Sequence, residues 1–321
     1  MPYILGMQFL YYLIGVIVLV VAGQILLDRN HPKRWTSGLF WFLFAMTFII
    51  GDKVSHLVIG YMILAMVALS ALGQVKNGGR DTSTKEERLE KANWLKGKLF
   101  IPALMIPVFT VIGTLTLGHI HFGKWHLIDT TQVTLISLGI AAILSFVGAM
   151  VITKAKWQVP AREGSRLLQS VGWAVLLPQL LATLGGIFAA AGVGKVVSDL
   201  VGDYLPTTNA FVAVLAYCLG MMVFTIIMGN AFAAFAVITA GIGLPFIVQM
   251  HGGNPGIMAA LGMFAGYCGT LMTPMAANFN IVPAMLFELE DQNAVVKKQI
   301  PSAITIFIVN MFLMYFLVYH F

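Results

Sequence analysis

The sequence predicts an all-α, polytopic transmembrane helical bundle that contains a re-entrant hairpin and a broken helix. Three observations carry that prediction. Only 10% of the 321 residues are charged and 59% are hydrophobic, against about 25% charged in a typical soluble domain. Apolar runs recur at about 20 residues, the length that crosses about 30 Å of hydrocarbon, while the alternating ten-residue segments of a membrane barrel are absent. Finally, Gly, Pro, Asn and Thr gather inside two of these runs, where a spanning helix is ordinarily most uniformly apolar.

Taken in order, the runs place spans near 5–27, 36–51, 54–75, 99–117, 132–152 and 168–193. A paired segment follows at 209–228 and 231–249, then a broken helix at 255–287 and a last span at 300–320. The opening run has no basic region before it and no cleavage site after it, so it is expected to be a retained helix. Three loops hold most of the positive charge: Arg29, Lys33 and Arg34; Lys76, Arg80, Lys85, Arg88, Lys91, Lys96 and Lys98; Lys154, Lys156, Arg162 and Arg166. They alternate with loops holding only Lys53 and Lys124. The positive-inside rule therefore puts these loops in the cytoplasm and the N-terminus outside, in a bacterial plasma membrane. Carried forward, the alternation puts 194–208 and 250–254 outside and Lys297 and Lys298 inside. The net charge of +6 is thus explained by loops facing the lipid bilayer's inner surface, and gives no support to a nucleic-acid partner.

Segment 76–98 has mixed charge and no apolar face, so it reads as a cytoplasmic linker with a short helix from Thr84 to Trp94. It divides an N-terminal group of helices, 1–98, from a transporter-like region, 99–321. Gly185, Gly186, Gly192 and Gly194 form a dense patch suited to close helix packing.

The sharpest chemistry lies in residues 262–283, GMFAGYCGTLMTPMAANFNIVP. Pro274 removes an amide donor and pushes Thr273 towards extended geometry. Together with Gly269, Thr270, Asn278 and Asn280 it marks an unwound stretch, and exposed half-helix ends present N–H groups to anions and C=O groups to cations. A second interruption, Gly229 and Asn230 followed by Ala231, sits between apolar arms with no charge to anchor an aqueous loop. It is expected to be the tip of the re-entrant hairpin, with Gly241, Gly243 and Pro245 as its end or a further break.

Other polar groups are read plainly. Asp52, Lys53 and His56 belong to an interfacial loop. His119, His121 and His126 belong to a solvated outer loop, with no further ligands to make a metal site. Gln179 beside Pro178 either lines a pathway or bonds a neighbouring helix. The methionines between Met258 and Met285 are packing, and Cys218 and Cys268 lie in apolar segments without metal or disulfide spacing. No GxSxG, HExxH or P-loop occurs, so hydrolytic or ATP-driven chemistry has no machinery and an enzyme is not expected.

GNAFAAFAVITAGIGLP followed by CGTLMTPMAANFN resembles the paired signature of the ion transporter superfamily, which includes divalent anion:sodium symporters. That resemblance covers about residues 168–321. It implies that Asn230 takes the hairpin Asn position and that Thr273, Pro274 and Asn278 match the second element, while Gly229 and Ala231 replace flanking hydroxyl residues. Over its whole length the chain resembles an uncharacterised bacterial membrane family commonly encoded beside a second, smaller membrane family. The superfamily fold uses two inverted repeats, and residues 1–165 show no second GN or TPxxxN element, so the resemblance implies a split permease whose partner subunit supplies the other half.

The expected function is a subunit of a secondary active transporter for a small carboxylate or amino-acid-derived anion, with pyroglutamate suggested by the resemblance to the membrane family alone. The expected site is 229–231 with 270–280. No cofactor is expected beyond sodium as coupling ion, because neither interruption holds an ionisable group. The alternatives are a structural or assembly subunit of a membrane complex, or an intramembrane enzyme.

Overall fold

The structure, a computed structural model, describes residues 3–78, 84–287 and 289–320; Arg80 of the expected basic linker lies outside them, as does the side chain of Lys85. The chain forms two compact units that meet in sequence at Gly172 and Trp173. Among the described residues, seven helical runs are long and apolar enough to cross a membrane, as an all-α polytopic bundle requires.

The first unit runs β1 (Tyr3–Leu5), α1 (Met7–Leu27), α2 (Arg34–Ile50), α3 (His56–Ala71), α4 (Lys85–Leu95), α5 (Phe100–Thr116), β2 (His121–Phe122), β3 (Trp125–Ile128), α6 (Val133–Thr153) and α7 (Gln158–Val171). Two helical hairpins, α1 with α2 and α5 with α6, make its frame. Small residues let the helices of each pair approach: Gly38 lies against the Leu26 side chain, and Gly113 against Ser137. Ser145 Oγ donates to the Pro102 carbonyl, which ties α6 to the start of α5. The predicted linker helix is present as α4, closed by a capping box in which Thr84 Oγ1 accepts from the Glu87 N–H and the Thr84 N–H donates to Glu87 Oε2.

The boundary expected after residue 98 is not where the chain divides. Helix α6 packs back on α1, where Gly139 touches the Leu10 side chain. The start of the linker is also clamped. The Lys76 N–H donates to Ser37 Oγ, the Gly78 N–H to Gln169 Oε1, and the His31 ring bonds the Lys76 carbonyl. Polarity marked the segment as exposed, but hydrogen bonds fix it to its own unit. Of the three loop histidines, His121 and His126 lie opposite one another in a small sheet of order β1-β3-β2, and His119 ends the short turn before it; no group of three metal-binding side chains occurs among the described residues.

The second unit runs α8 (Leu177–Ala190), α9 (Val193–Tyr204), α10 (Ala210–Met228), α11 (Ala231–Ile238), a wide π-helix continuing it over Thr239–Met250, α12 (Pro255–Leu271), α13 (Ile281–Leu286) and α14 (Ala294–Val318). Asn209, Asn230 and Asn254 cap α10, α11 and α12 through Oδ1, each accepting from N–H groups of the first turn. Helix α10 is the hub. Its Tyr217 is fully buried between Gly243 and Gly262, where a Cβ on either glycine would strike the ring, and its hydroxyl bonds Thr239 Oγ1 at 2.9 Å.

Close approaches set the vertical register of this unit. Gly185 meets Ala233, Gly194 meets the Val237 carbonyl and Gly241, Gly202 meets Phe246, and His251 Nε2 bonds the Thr207 carbonyl. Helices α8 and α9 therefore run parallel to α11 and the π-helix. The pairs Asn310 Nδ2 to the Leu261 carbonyl, and Asn254 N–H to the Val318 carbonyl, set α14 antiparallel to α12.

Gly241 and Gly186 separate close packing from mere helix composition. A Cβ at Gly241 would overlap the Gly194 backbone, whereas nothing lies within 4 Å of one at Gly186. Thermal unfolding in detergent should show Gly241→Ala losing about 1–3 kcal/mol, and Gly186→Ala unchanged or stabilised by up to about 1 kcal/mol. Equal effects would mean that α9 and the π-helix are not in contact.

Candidate functional site

Two interruptions organise the second unit, and they lie at different depths. The first is the predicted broken helix. Helix α12 stops at Leu271, 272–280 is non-helical, and α13 is one short turn of six residues. Asn280, fully buried, holds the loop by donating through Nδ2 to the Thr270 and Thr273 carbonyls at 2.8 and 2.7 Å. These belong to the run of carbonyls that a helix C-terminus leaves without partners. Thr273 Oγ1 donates to the Ile226 carbonyl in the last turn of α10, at 2.8 Å, and accepts from the Met275 N–H. Thr270 Oγ1 turns back to the Tyr267 carbonyl. Gly269 abuts the Met222 carbonyl, and Gly229, at φ 67°, meets the Met275 backbone.

Thus Gly229, Gly269, Thr270, Thr273 and Asn280 are brought together, and Asn230 and Ala231 adjoin them at the head of α11. Asn230 Oδ1 is engaged with the Phe232 N–H at 2.9 Å. Pro274 and Asn278 are exposed. The inward amide is therefore Asn280 rather than Asn278. Among the described residues of this unit, three buried side-chain oxygens, Thr225 Oγ1, Asn280 Oδ1 and Gln299 Oε1, have no protein partner.

The depth of this cluster differs from expectation. The hairpin arms, α10 at 19 residues and α11 with the π-helix at 20, are each long enough to cross, whereas a turn at half depth needs arms of about ten residues. Its tip lies at the end of full-length helices. The 261–310 and 254–318 pairs bring residues 271–274 level with 297–301. The loop thus sits beside Lys297 and Lys298, the charged start of α14. There Lys297 Nζ donates to Asp291 Oδ2 at 2.7 Å, holding that carboxyl below the usual carboxylate range with help from the Asn293 N–H.

The second interruption was not expected. Segment 194–208, read from its charges as an outer loop, forms α9, and the break at Ala191 and Gly192, the latter at φ 70°, faces residues 237–241, the middle of the 231–250 run. Immediately beside it, α11 widens into the π-helix, a form found mainly at functional sites. Pro245 has no N–H for its i−5 partner, the Ala240 carbonyl. Ala240, Leu244, Pro245 and Gln249 face Gly194, Lys195, Ser198 and Asp199 across a groove of about 420 Å³. Sequence reasoning missed this groove. Its signal was the four-residue spacing of Val193, Val197 and Val201, which pack inward, against Lys195 and Asp199, which do not.

The profile of one family, described as "Protein of unknown function (DUF979)", matches residues 8–319. The chain belongs to that family. The DUF979 match spans both units, so the frame of α1–α7 and the interrupted helices of the second unit are parts of one family-defined whole. No curated protein matches the chain, and no solved structure does. The DUF979 description names no transporter superfamily.

Within this DUF979 chain the two asparagines of the broken helix should separate cleanly. Asn280→Ala leaves two buried carbonyls unpaired and should cost about 2–4 kcal/mol, while Asn278→Ala should stay within about 0.5 kcal/mol. Chemical unfolding of the purified protein checks this, and the reverse order would show that the loop is held differently.

Proposed function

We propose that this chain is one subunit of a cation-coupled secondary active transporter for a small carboxylate, such as pyroglutamate or a related amino-acid-derived anion. The observation that carries the reading is the helix pair α8–α9, broken at Gly192 beside the widened helix at Thr239. Irregular backbone at membrane depth is tolerated only when buried in protein or lining a cavity, and here it lines one. Discontinuous helices near mid-depth are the usual site of substrate and ion binding in secondary transporters.

The coupling ion in this reading is a hard monovalent cation, sodium first. Thr225 Oγ1, Asn280 Oδ1 and Gln299 Oε1 are buried without a protein partner among the described residues, and the first two stand in the knot that holds the end of α10 rather than in the groove. The first unit, among its described residues, offers paired continuous helices and no matching break in a spanning helix. A second membrane subunit, encoded beside this one, supplies the other half of the pathway in this reading, which also rests on the resemblance to the ion transporter superfamily.

Binding decides between this and a purely structural subunit. With the neighbouring subunit present, pyroglutamate, succinate and citrate should be tested by isothermal calorimetry in sodium and in choline at constant ionic strength. At least one should bind roughly tenfold more tightly in sodium, the scale of a 1–2 kcal/mol coupling. No carboxylate binding under either salt would sink the transporter reading.

A further inference from the structure

The groove at the α8–α9 break carries the only charged side chains that the described residues place against the middle of the 231–250 segment. Lys195 and Asp199 are i and i+4 on α9. Both are exposed, and neither has a hydrogen-bond or ion-pair partner among the described residues. The elements packed on α9, namely α8, α11 and the π-helix, bring no other charge. Asp203 lies one turn further along α9, and His251, bonded to the Thr207 carbonyl, closes the far end. Two charges held at this depth face water or a ligand, because hydrocarbon solvates neither. Their groove has the size of a small-molecule site, and its remaining polar side chains are those of Ser198 and Gln249.

We propose that this groove is the carboxylate site, with Lys195 as the counter-charge of the substrate and Asp199 as the group that obliges each carboxylate to enter with one monovalent cation. The proposal rests on the transporter reading and names the substrate-binding residues for it. The charge balance is simple. Empty, the groove is neutral, with one ammonium and one carboxylate. A bound carboxylate makes it −1, with two carboxylates repelling one another in a single groove. One sodium ion near Asp199, or one proton on it, restores neutrality. Coupling then follows from the fixed charges of α9 and needs no ionisable group in the 272–280 loop.

The test uses the full chain with its neighbouring membrane subunit in liposomes. Pyroglutamate, succinate and citrate serve as probes, with sodium exchanged for choline at pH 7.5 and, separately, pH lowered without sodium. Lys195→Met should weaken binding of whichever probe the parent takes by roughly tenfold or more, the loss of a charged hydrogen-bond partner, and Lys195→Arg should keep it within about threefold. Asp199→Asn should bind as well as the parent while losing its dependence on sodium and on pH. A parent that responds to sodium assigns the cation as sodium, and one that responds to pH places a proton on Asp199. Should Lys195→Met fail to fold, Ser198→Cys in a Cys218→Ala, Cys268→Ala background gives a second readout, because the bound probe should slow its alkylation several-fold.

Unchanged binding in Lys195→Met, retained cation dependence in Asp199→Asn, or alkylation indifferent to the probe would overturn the groove as the site, leaving carboxylate transport intact as a reading. A parent that binds none of the three probes would overturn both.

Discussion

Inside a bilayer a backbone N–H or C=O that leaves its helix has no water to turn to. The second unit depends on how it meets that constraint at two places. At the end beside Lys297 it does so with side chains: Asn280 and Thr273 take the carbonyls that α10 and α12 leave open. At mid-depth it does so by leaving a groove, in which Gly192 turns the chain and the π-helix spreads around Pro245. The first device is fully buried and structural in character. The second is open and carries charge.

This division separates the roles of residues that the sequence groups together. Asn, Thr and Pro in 270–280 form the more conspicuous cluster, but most of their hydrogen-bonding capacity is spent on closing helix ends. What is left over is one amide oxygen and the nearby Thr225 hydroxyl, too little to hold a carboxylate. Lys195 and Asp199 are in the opposite condition, with full charges and no internal partner. Glycine makes the second arrangement possible. At Gly194 and Gly241 the backbones of α9 and the π-helix touch, which keeps an amphipathic half-helix at the level of the break.

Much of the fold was legible because membrane spans announce themselves by length. The helices at 7–27, 100–116, 133–153 and 210–228 begin and end within two residues of the apolar runs that suggested them, and the linker helix expected from Thr84 to Trp94 forms over Lys85–Leu95. The interruption at 272–280 was legible from Pro274. Its depth was not, because depth is fixed by pairings such as Asn310 with Leu261, which join residues 49 apart. The hairpin tip at Gly229 looked buried because no charge flanks it, yet its arms have full spanning length. Helix α9 was hidden for the converse reason: the span alternation carried past residue 193 puts 194–208 in an outer loop, where Lys195, Asp199 and Asp203 are unremarkable. The π-helix had no local signature beyond Gly241, Gly243 and Pro245.

The central claim is that α8 and α9 form one span broken near its middle. Nitroxide labels at Gly186, Val196, Leu200 and Tyr204, with oxygen and a nickel chelate as collision partners in liposomes, measure it most directly. The account expects depth to be greatest near Gly186 and Val196 and to fall steadily towards Tyr204, with a label at Ser198 accessible to nickel at the depth where Val196 meets oxygen. Uniform nickel accessibility from Val196 to Tyr204, as for a helix lying in the aqueous loop, would contradict it.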